Sequence, residues 1–405
     1  MNDYEKEEKE MSNKKEILAY VSMSVIMIAL GASDAMRGIF ALVFEKHFAL
    51  TNTQISLIVT ISYMGNLVFL LVGGKIADRF HKKAVSLSVM CIWCLAALLY
   101  LVTDNYYALL IGMFFTMGAS TLMNTLINIM TPVLFASAPA MIINTLFFVQ
   151  GIGTTGSQKL AGMYASDINS WKITNAILIA IAVIGIILLA FTPMKEPKRQ
   201  QANASKSKGF KEVVQNPAFF YLILILGCYF VAEHGMLNWF VSYAYNKLGL
   251  SMKQASTFLS LFFGGITIGR LIFAPLIAKF GIQTSIKVFG GVATCFYAIG
   301  IVLGAKGVFI LSITGIFFSV LYPTLIMMIQ GYYDSDIVST ATGSIISVAT
   351  IFDIVFNIAF GYIIDKIGFG KGFMILPITM CIFYVIFRIF DKRVTVIGEN
   401  NHEIY

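Results

Sequence analysis

The stretch GGKIADRFHKK, Gly73 to Lys83, puts four basic residues, a histidine and an aspartate between two long apolar runs. QISLIVTISYMGNLVFLLV precedes it and AVSLSVMCIWCLAALLYLV follows it. An apolar run of about 20 residues is long enough to cross a bilayer as a helix, so the charged break reads as a loop between two membrane spans. Composition agrees. Of 405 residues, 12% are charged and 58% hydrophobic, against about 25% charged in soluble domains, and mean hydropathy is +0.80. A water-soluble chain of this kind would expose large apolar patches. The net charge of +8 needs no nucleic-acid partner, because its placement along the chain accounts for it.

Working outward from this loop, twelve spans are expected, at about 17–44, 54–77, 84–104, 106–135, 140–166, 172–193, 217–245, 252–278, 284–304, 307–332, 338–364 and 371–390. The polar start MNDYEKEEKEMSNKKE lacks the features of a cleaved signal peptide and reads as an N-tail, 1–16. Two six-helix bundles follow, 17–193 and 217–390, joined by a basic linker, 194–216, and ended by a tail, 391–405. Lysine and arginine set orientation. With both termini in the cytoplasm, the inner segments hold Lys14, Lys15, Arg79, Lys82, Lys83, Lys195, Lys198, Arg199 and others, outnumbering Lys46, Lys172, Lys247 and the few remaining outside. The expected location is the cell membrane, with the lipid bilayer as solvent and the chain a monomer. Cys91 and Cys94 form a C-x-x-C spacing inside an apolar run; there it reads as apolar filler and not as a redox or metal motif.

The halves repeat. FALTNTQISL from Phe48 matches LGLSMKQAST from Leu248, pairing Leu50 with Leu250, Thr51 with Ser251 and Gln54 with Gln254. At the same offset GGKIADRFHKK pairs with FAPLIAKFGIQ, Arg79 with Lys279 and Phe80 with Phe280. A duplicated six-span unit is the simple reading, and parallel repeats of this sort mark one class of secondary transporter.

At this point the chain resembles the major facilitator superfamily. Gly74, Asp78, Arg79, Lys82 and Lys83 match its G-x-x-x-D-R-x-G-R-R signature after the second span, and His81 stands at the usual glycine. The resemblance implies an all-α membrane fold of twelve transmembrane helices in two pseudo-symmetric six-helix bundles. It also implies a gating role for that loop, as a latch on the inner side. Among sugar transporters the chain is most similar to the fucose-permease-like group, through FALTNTQISLI, NTLIN and NTLFFVQGIG. It departs from that group where Asn124 stands for a glutamate in span 4, with Asn128 matching the paired asparagine, and where Gly38 aligns with the group's span-1 aspartate.

Charge at bilayer depth is expensive, at least about 2.5–3.5 kcal/mol on insertion scales, so each survivor is a functional candidate. The interior ionisable residues are expected to be Asp34 and Arg37 (span 1), Lys159 (span 5), Glu233 and His234 (span 7), Arg270 (span 8) and Asp353 (span 11), with spans 3, 6, 9 and 12 free of them. The superfamily resemblance implies that the latter four face lipid. Asp34, Glu233 and Asp353 are the candidate proton carriers. Arg37, Asn124, Asn128, Gln150, Gln158, Lys159, His234, Asn238, Trp239, Arg270, Tyr322 and Asn357 are the candidate solute-binding set, because amides donate and accept and an aromatic face stacks on a sugar ring. Bland alternatives stand beside these: Asp34 paired with Arg37 or Lys159, Asp353 paired with Arg270, and amides as interhelical glue.

The expected function is secondary active transport of a small polar solute, sugar-like by preference, by alternating access and coupled to protons as a symporter. Organic-anion transport and drug efflux by antiport are the alternatives, and a non-transporting solute sensor is the alternative from another class. No phosphate-binding loop and no H-E-x-x-H or G-x-S-x-G motif occurs in the sequence, so neither an enzyme nor a cofactor is expected.

Overall fold

The computed structural model describes residues 3–135, 138–193, 208–334 and 337–402, and among these every regular element is helical. In order they are α1 (Asp3–Phe48), α2 (Asn52–Arg79), α3 (Lys82–Val102), α4 (Tyr106–Leu134), α5 (Pro139–Tyr164), α6 (Ile168–Phe191), α7 (Lys208–Gln215), α8 (Ala218–Asn246), α9 (Met252–Phe280), α10 (Ile282–Val302), a 3-10 turn (Gly304–Gly307), α11 (Val308–Ile313), α12 (Gly315–Gly331), α13 (Val338–Gly372) and α14 (Ile375–His402). Among the described residues nine helices are long and apolar enough to cross a membrane, and Gly304–Ile313 with Gly315–Gly331 makes a tenth, bent by 48°. The remaining long helices, α5 and α14, complete the order of the twelve expected spans. Helix is the form lipid permits, since it satisfies backbone groups within one segment.

Helix extends into both expected tails. The supposed N-tail is helical from Asp3 and the supposed C-tail is helical through His402. Lysine and glutamate are good helix formers, so a span can run on into water without losing its backbone bonds. The linker residues 194–207 lie outside the described residues, and its end forms α7. Of the spans whose interiors are expected to lack ionisable residues, the twelfth carries Arg388 in α14 with its Nε buried.

Two compact units form. One comprises Met1–Leu50 and Leu57–Ala202, the other Thr51–Ser56 and Asn203–Tyr405. In the first, α1 packs on α5 and α6, and α3 on α4; in the second, α8 packs on α13 and α14, and α9 on α12. The duplication read from sequence is visible as repeated geometry. A Cβ at Gly65 would strike the Phe114 carbonyl of α4, and one at Gly265 would strike the Ile316 amide of α12. Equivalent glycines thus let equivalent helix pairs approach closely. Both α2 and α9 open with the same capping box: Thr51 N donates to Gln54 Oε1 at 2.9 Å and Ser251 N to Gln254 Oε1 at 3.0 Å. The return bonds run from Gln54 N to Thr51 Oγ1 and from Gln254 N to Ser251 Oγ, each 3.3 Å. Polar breaks elsewhere also become caps, as Asn105 does for α4 and Asp167 for α6.

The copies differ at two turns. Gly281 has φ +78°, whereas His81, its equivalent, has φ −58° and simply ends one helix before the next. The histidine at the signature's glycine position is therefore accommodated without a left-handed backbone. Conversely, Gly249 has φ +70° and its equivalent Ala49 is forced to φ +51°, where Leu50 N reaches back to Glu45 O at 2.9 Å to close α1. A left-handed non-glycine residue costs about 1–2 kcal/mol. Ala49→Gly should relieve that, less about 0.4–1 kcal/mol for a freer unfolded chain, and so raise the melting temperature in detergent; Gly249→Ala should lower it.

Candidate functional site

In the first unit, Asp34 and Arg37 lie three residues apart and so share one face of α1. Asp34 Oδ2 accepts from Ser120 Oγ of α4 at 2.8 Å. Its Oδ1 is buried and has no hydrogen-bond partner among the described residues. Arg37 acts on this carboxylate electrostatically, is buried, and lies 5.2 Å from the ring centroid of Tyr63 on α2, a cation–π contact. Helix α5 is tied to α1 by hydroxyls: Thr154 Oγ1 donates to Gly31 O at 3.0 Å and Ser157 Oγ to Ala32 O at 3.4 Å. Gln150 Nε2 donates to Asn124 Oδ1 of α4 at 3.3 Å. Gln158 is fully buried, and neither atom of its amide has a partner among the described residues. A buried unsatisfied polar group costs about 1–3 kcal/mol, and such groups occur where water, an ion or a ligand completes them. Lys159 is half-buried and Asn128 is exposed.

In the second unit the polar residues form a connected chain. His234 Nδ1 of α8 pairs with Asp353 Oδ2 of α13. Asp353 is fully buried. Asn357, one turn along α13, donates from Nδ2 to the Asp353 carbonyl at 2.8 Å, and its Oδ1 accepts from Trp239 Nε1 of α8 at 2.9 Å. Asn238 Nδ2 donates to His234 O at 2.9 Å. The imidazole stacks on Phe230, centroids 5.2 Å apart and planes 20° apart. Glu233 is half-buried beside this group; it and Arg270 both act electrostatically on the buried rings Tyr229 and Tyr322. The ion pair of Asp353 is thus with His234 and not with Arg270, the partner offered for it as a bland alternative. Arg270 of α9 belongs to the Glu233 and tyrosine neighbourhood, while His234 of α8 takes Asp353.

The residues of the signature loop divide. Gly74 and Asp78 fall outside the described side chains. Arg79 is exposed, its guanidinium 5.9 Å from the Phe80 ring centroid, and Lys82 opens α3. Lys83 has a definite job: its Nζ donates to Ala190 O and Thr192 O, both at 2.8 Å, closing the C-terminus of α6. A cation there also suits the helix dipole. Sequence reasoning missed Ser120, Tyr63 and Tyr229. A serine or tyrosine in an apolar span is too common to stand out, and only contact distinguishes these three.

A family model described as Major Facilitator Superfamily matches residues 17–348. A hexuronate transporter of Bacillus subtilis (strain 168) is 24% identical over 366 residues, 84% of this chain and 86% of that protein. A cis,cis-muconate transport protein of Acinetobacter baylyi is 20% identical over 367 residues, 86% and 88% of the two chains. Among solved structures, the E. coli fucose:proton symporter superposes with a TM-score of 0.65 at 18% identity, covering 93% of this chain and 99% of the other.

The His234–Asp353 pair yields a stability test. Asp353 is fully buried, and a buried carboxylate that loses its hydrogen-bonded partner is left uncompensated, which costs about 1–3 kcal/mol or more. His234→Leu should therefore depress thermal stability in detergent sharply, and the double variant His234→Leu/Asp353→Leu should recover most of the loss. Equal melting of the single and double variants would mean that the pair is not buried as described.

Proposed function

Because the chain belongs to the Major Facilitator Superfamily, we propose that it is a proton-coupled secondary transporter of a small polar solute, sugar-like in its hydroxyls, working by alternating access. It is a multi-pass membrane solute transporter and not an enzyme. In the proposed mechanism Asp34, Glu233 and Asp353 are the protonatable groups. The observation that carries this reading is the pair of half-buried His234 with fully buried Asp353, braced by Asn357 and Trp239 and placed beside Glu233. An imidazole sharing a hydrogen bond with a carboxylate can pass a proton, and charge kept at depth against its cost marks a proton or solute path. Gln158 and the free Asp34 oxygen of the first unit are the open valences a hydroxylated solute would fill. The Gly74–Lys83 loop acts as the gate, and the proposed orientation puts both termini in the cytoplasm.

A second reading has its own support. Hexuronate and muconate, in the names of the two curated relatives, are both carboxylates, and Arg37 is a buried cation of the first unit that acts on Asp34. An acidic sugar would satisfy both readings. Uptake into vesicles reconstituted with the protein, screened against neutral sugars, uronates and dicarboxylates with and without a pH gradient, decides among them. Glu233→Gln should abolish gradient-driven accumulation and spare counterflow; unchanged accumulation removes Glu233 from coupling. A hydrogen bond to a charged group contributes about 1.5–3 kcal/mol. Arg37→Gln should therefore raise the half-saturating concentration of an acidic solute about tenfold or more and leave a neutral sugar unaffected. An equal effect on both would assign Arg37 to structure.

A further inference from the structure

Within the second unit, α10 and α14 pack side by side, and their contacts fix the register. A Cβ on Gly290 would meet the Phe383 ring at 3.2 Å, and one on Gly291 would meet Tyr384 Oη at 3.1 Å. Thr294 Oγ1 donates to Met380 O at 3.4 Å. Numbers rise along α10 as they fall along α14, so the helices are antiparallel. Lys287 precedes Gly291 by one helical turn, and Arg388 follows Tyr384 by one turn. Residues four apart share a helix face, so the seam brings the two cations abreast. One turn the other way along the same seam stand Cys295 and Cys381, both exposed. Val288, Val385 and Ile389 beside it are exposed apolar residues.

Two like charges abreast on an apolar flank call for an anion, and the described residues supply none. Neither Lys287 nor Arg388 forms an ion pair or a side-chain hydrogen bond among them. Arg388 is half-buried, and its Nε is enclosed with no acceptor. The nearest acid along α14, Asp391, acts on Tyr332. Lys83 makes the contrast: it is a cation at a helix end whose Nζ is used up by carbonyls of its own unit. Lys287 stands past the turn at Gly281 by about 9 Å of helix rise, within reach of the headgroup level for a long, flexible side chain. Arginine and lysine together suit phosphate, the first as a planar fork and the second as a point charge. Gly291 leaves the seam shallow in front of them, and the hydroxyl of half-buried Tyr384 borders the gap. Basic pockets between spans bind anionic headgroups. The apolar residues on either side select a phosphate that carries acyl chains over one free in water.

We propose that Lys287, Arg388 and the Tyr384 hydroxyl form a binding site for the phosphate of an anionic phospholipid, whose acyl chains lie along the α10–α14 seam over Gly291 toward Cys295 and Cys381. Neither the solute nor the orientation of the chain enters this assignment. The full-length protein in a non-ionic detergent is treated with a succinimidyl ester, and acylation of each lysine is followed by peptide mass spectrometry. Phosphatidylglycerol should slow the reaction of Lys287 about tenfold or more. Phosphatidylcholine and inorganic phosphate at the same concentration should leave it unchanged, as should all three additions at Lys253, an exposed lysine at the start of α9. In native mass spectrometry the wild type should retain phosphatidylglycerol over phosphatidylcholine by a similar factor, and Lys287→Gln/Arg388→Gln should lose that preference. Equal protection of Lys287 by phosphatidylcholine would reduce the effect to general shielding, and equal protection by inorganic phosphate would make the site one for free anions; either overturns the proposal. So would an undiminished preference in the double variant. The acylation measurements use the wild-type protein, so they decide the matter even where the variant fails to fold.

Discussion

Hydrocarbon offers no hydrogen bonds, and nearly every feature of this protein follows from that. Each long segment is helical because a helix satisfies its own backbone, and the helix ends, which cannot, are supplied with partners from side chains. Asn105, Asp167, Thr51 and Ser251 cap helix starts. Lys83 takes the last carbonyls of α6. The same constraint makes the buried titratable groups meaningful, because each must either be paired or be reached by water, a proton or a solute.

The two units answer that constraint differently although they descend from one pattern. In the second unit the polar groups close on one another, from Trp239 through Asn357 to Asp353 and His234. In the first, Asp34 and Gln158 retain buried atoms with no partner among the described residues. The first cluster is thus suited to receiving a hydroxylated or charged solute, and the second to holding and passing a proton. In the proposed mechanism Asp34 bridges the two roles, since it also counts among the protonatable groups with Glu233 and Asp353. The backbone geometry repeats between the units, at Gly65 and Gly265 and at the paired capping boxes, while the buried chemistry differs.

Much of the architecture was legible in the sequence because apolar length and loop charge are local signals. The span order, the repeat offset and the cavity-type residues of α1, α8 and α13 all came from short windows. What escaped was set by distance along the chain or by helix continuity. Nothing near Asp353 says that His234 will outcompete Arg270, since all three lie on different helices. Arg388 broke the expected pattern for the opposite reason, because α14 does not stop where hydropathy falls.

Trp239 does more than brace Asn357. The chain has three tryptophans; Trp93 and Trp239 are both wholly enclosed, and Trp239 has its ring nitrogen committed to the amide that steadies Asp353. Indole emission depends on the polarity around the ring and on the bonding of that nitrogen. The protein therefore carries a built-in lamp inside the cluster assigned to protons, whose colour and brightness can register events there without any attached dye.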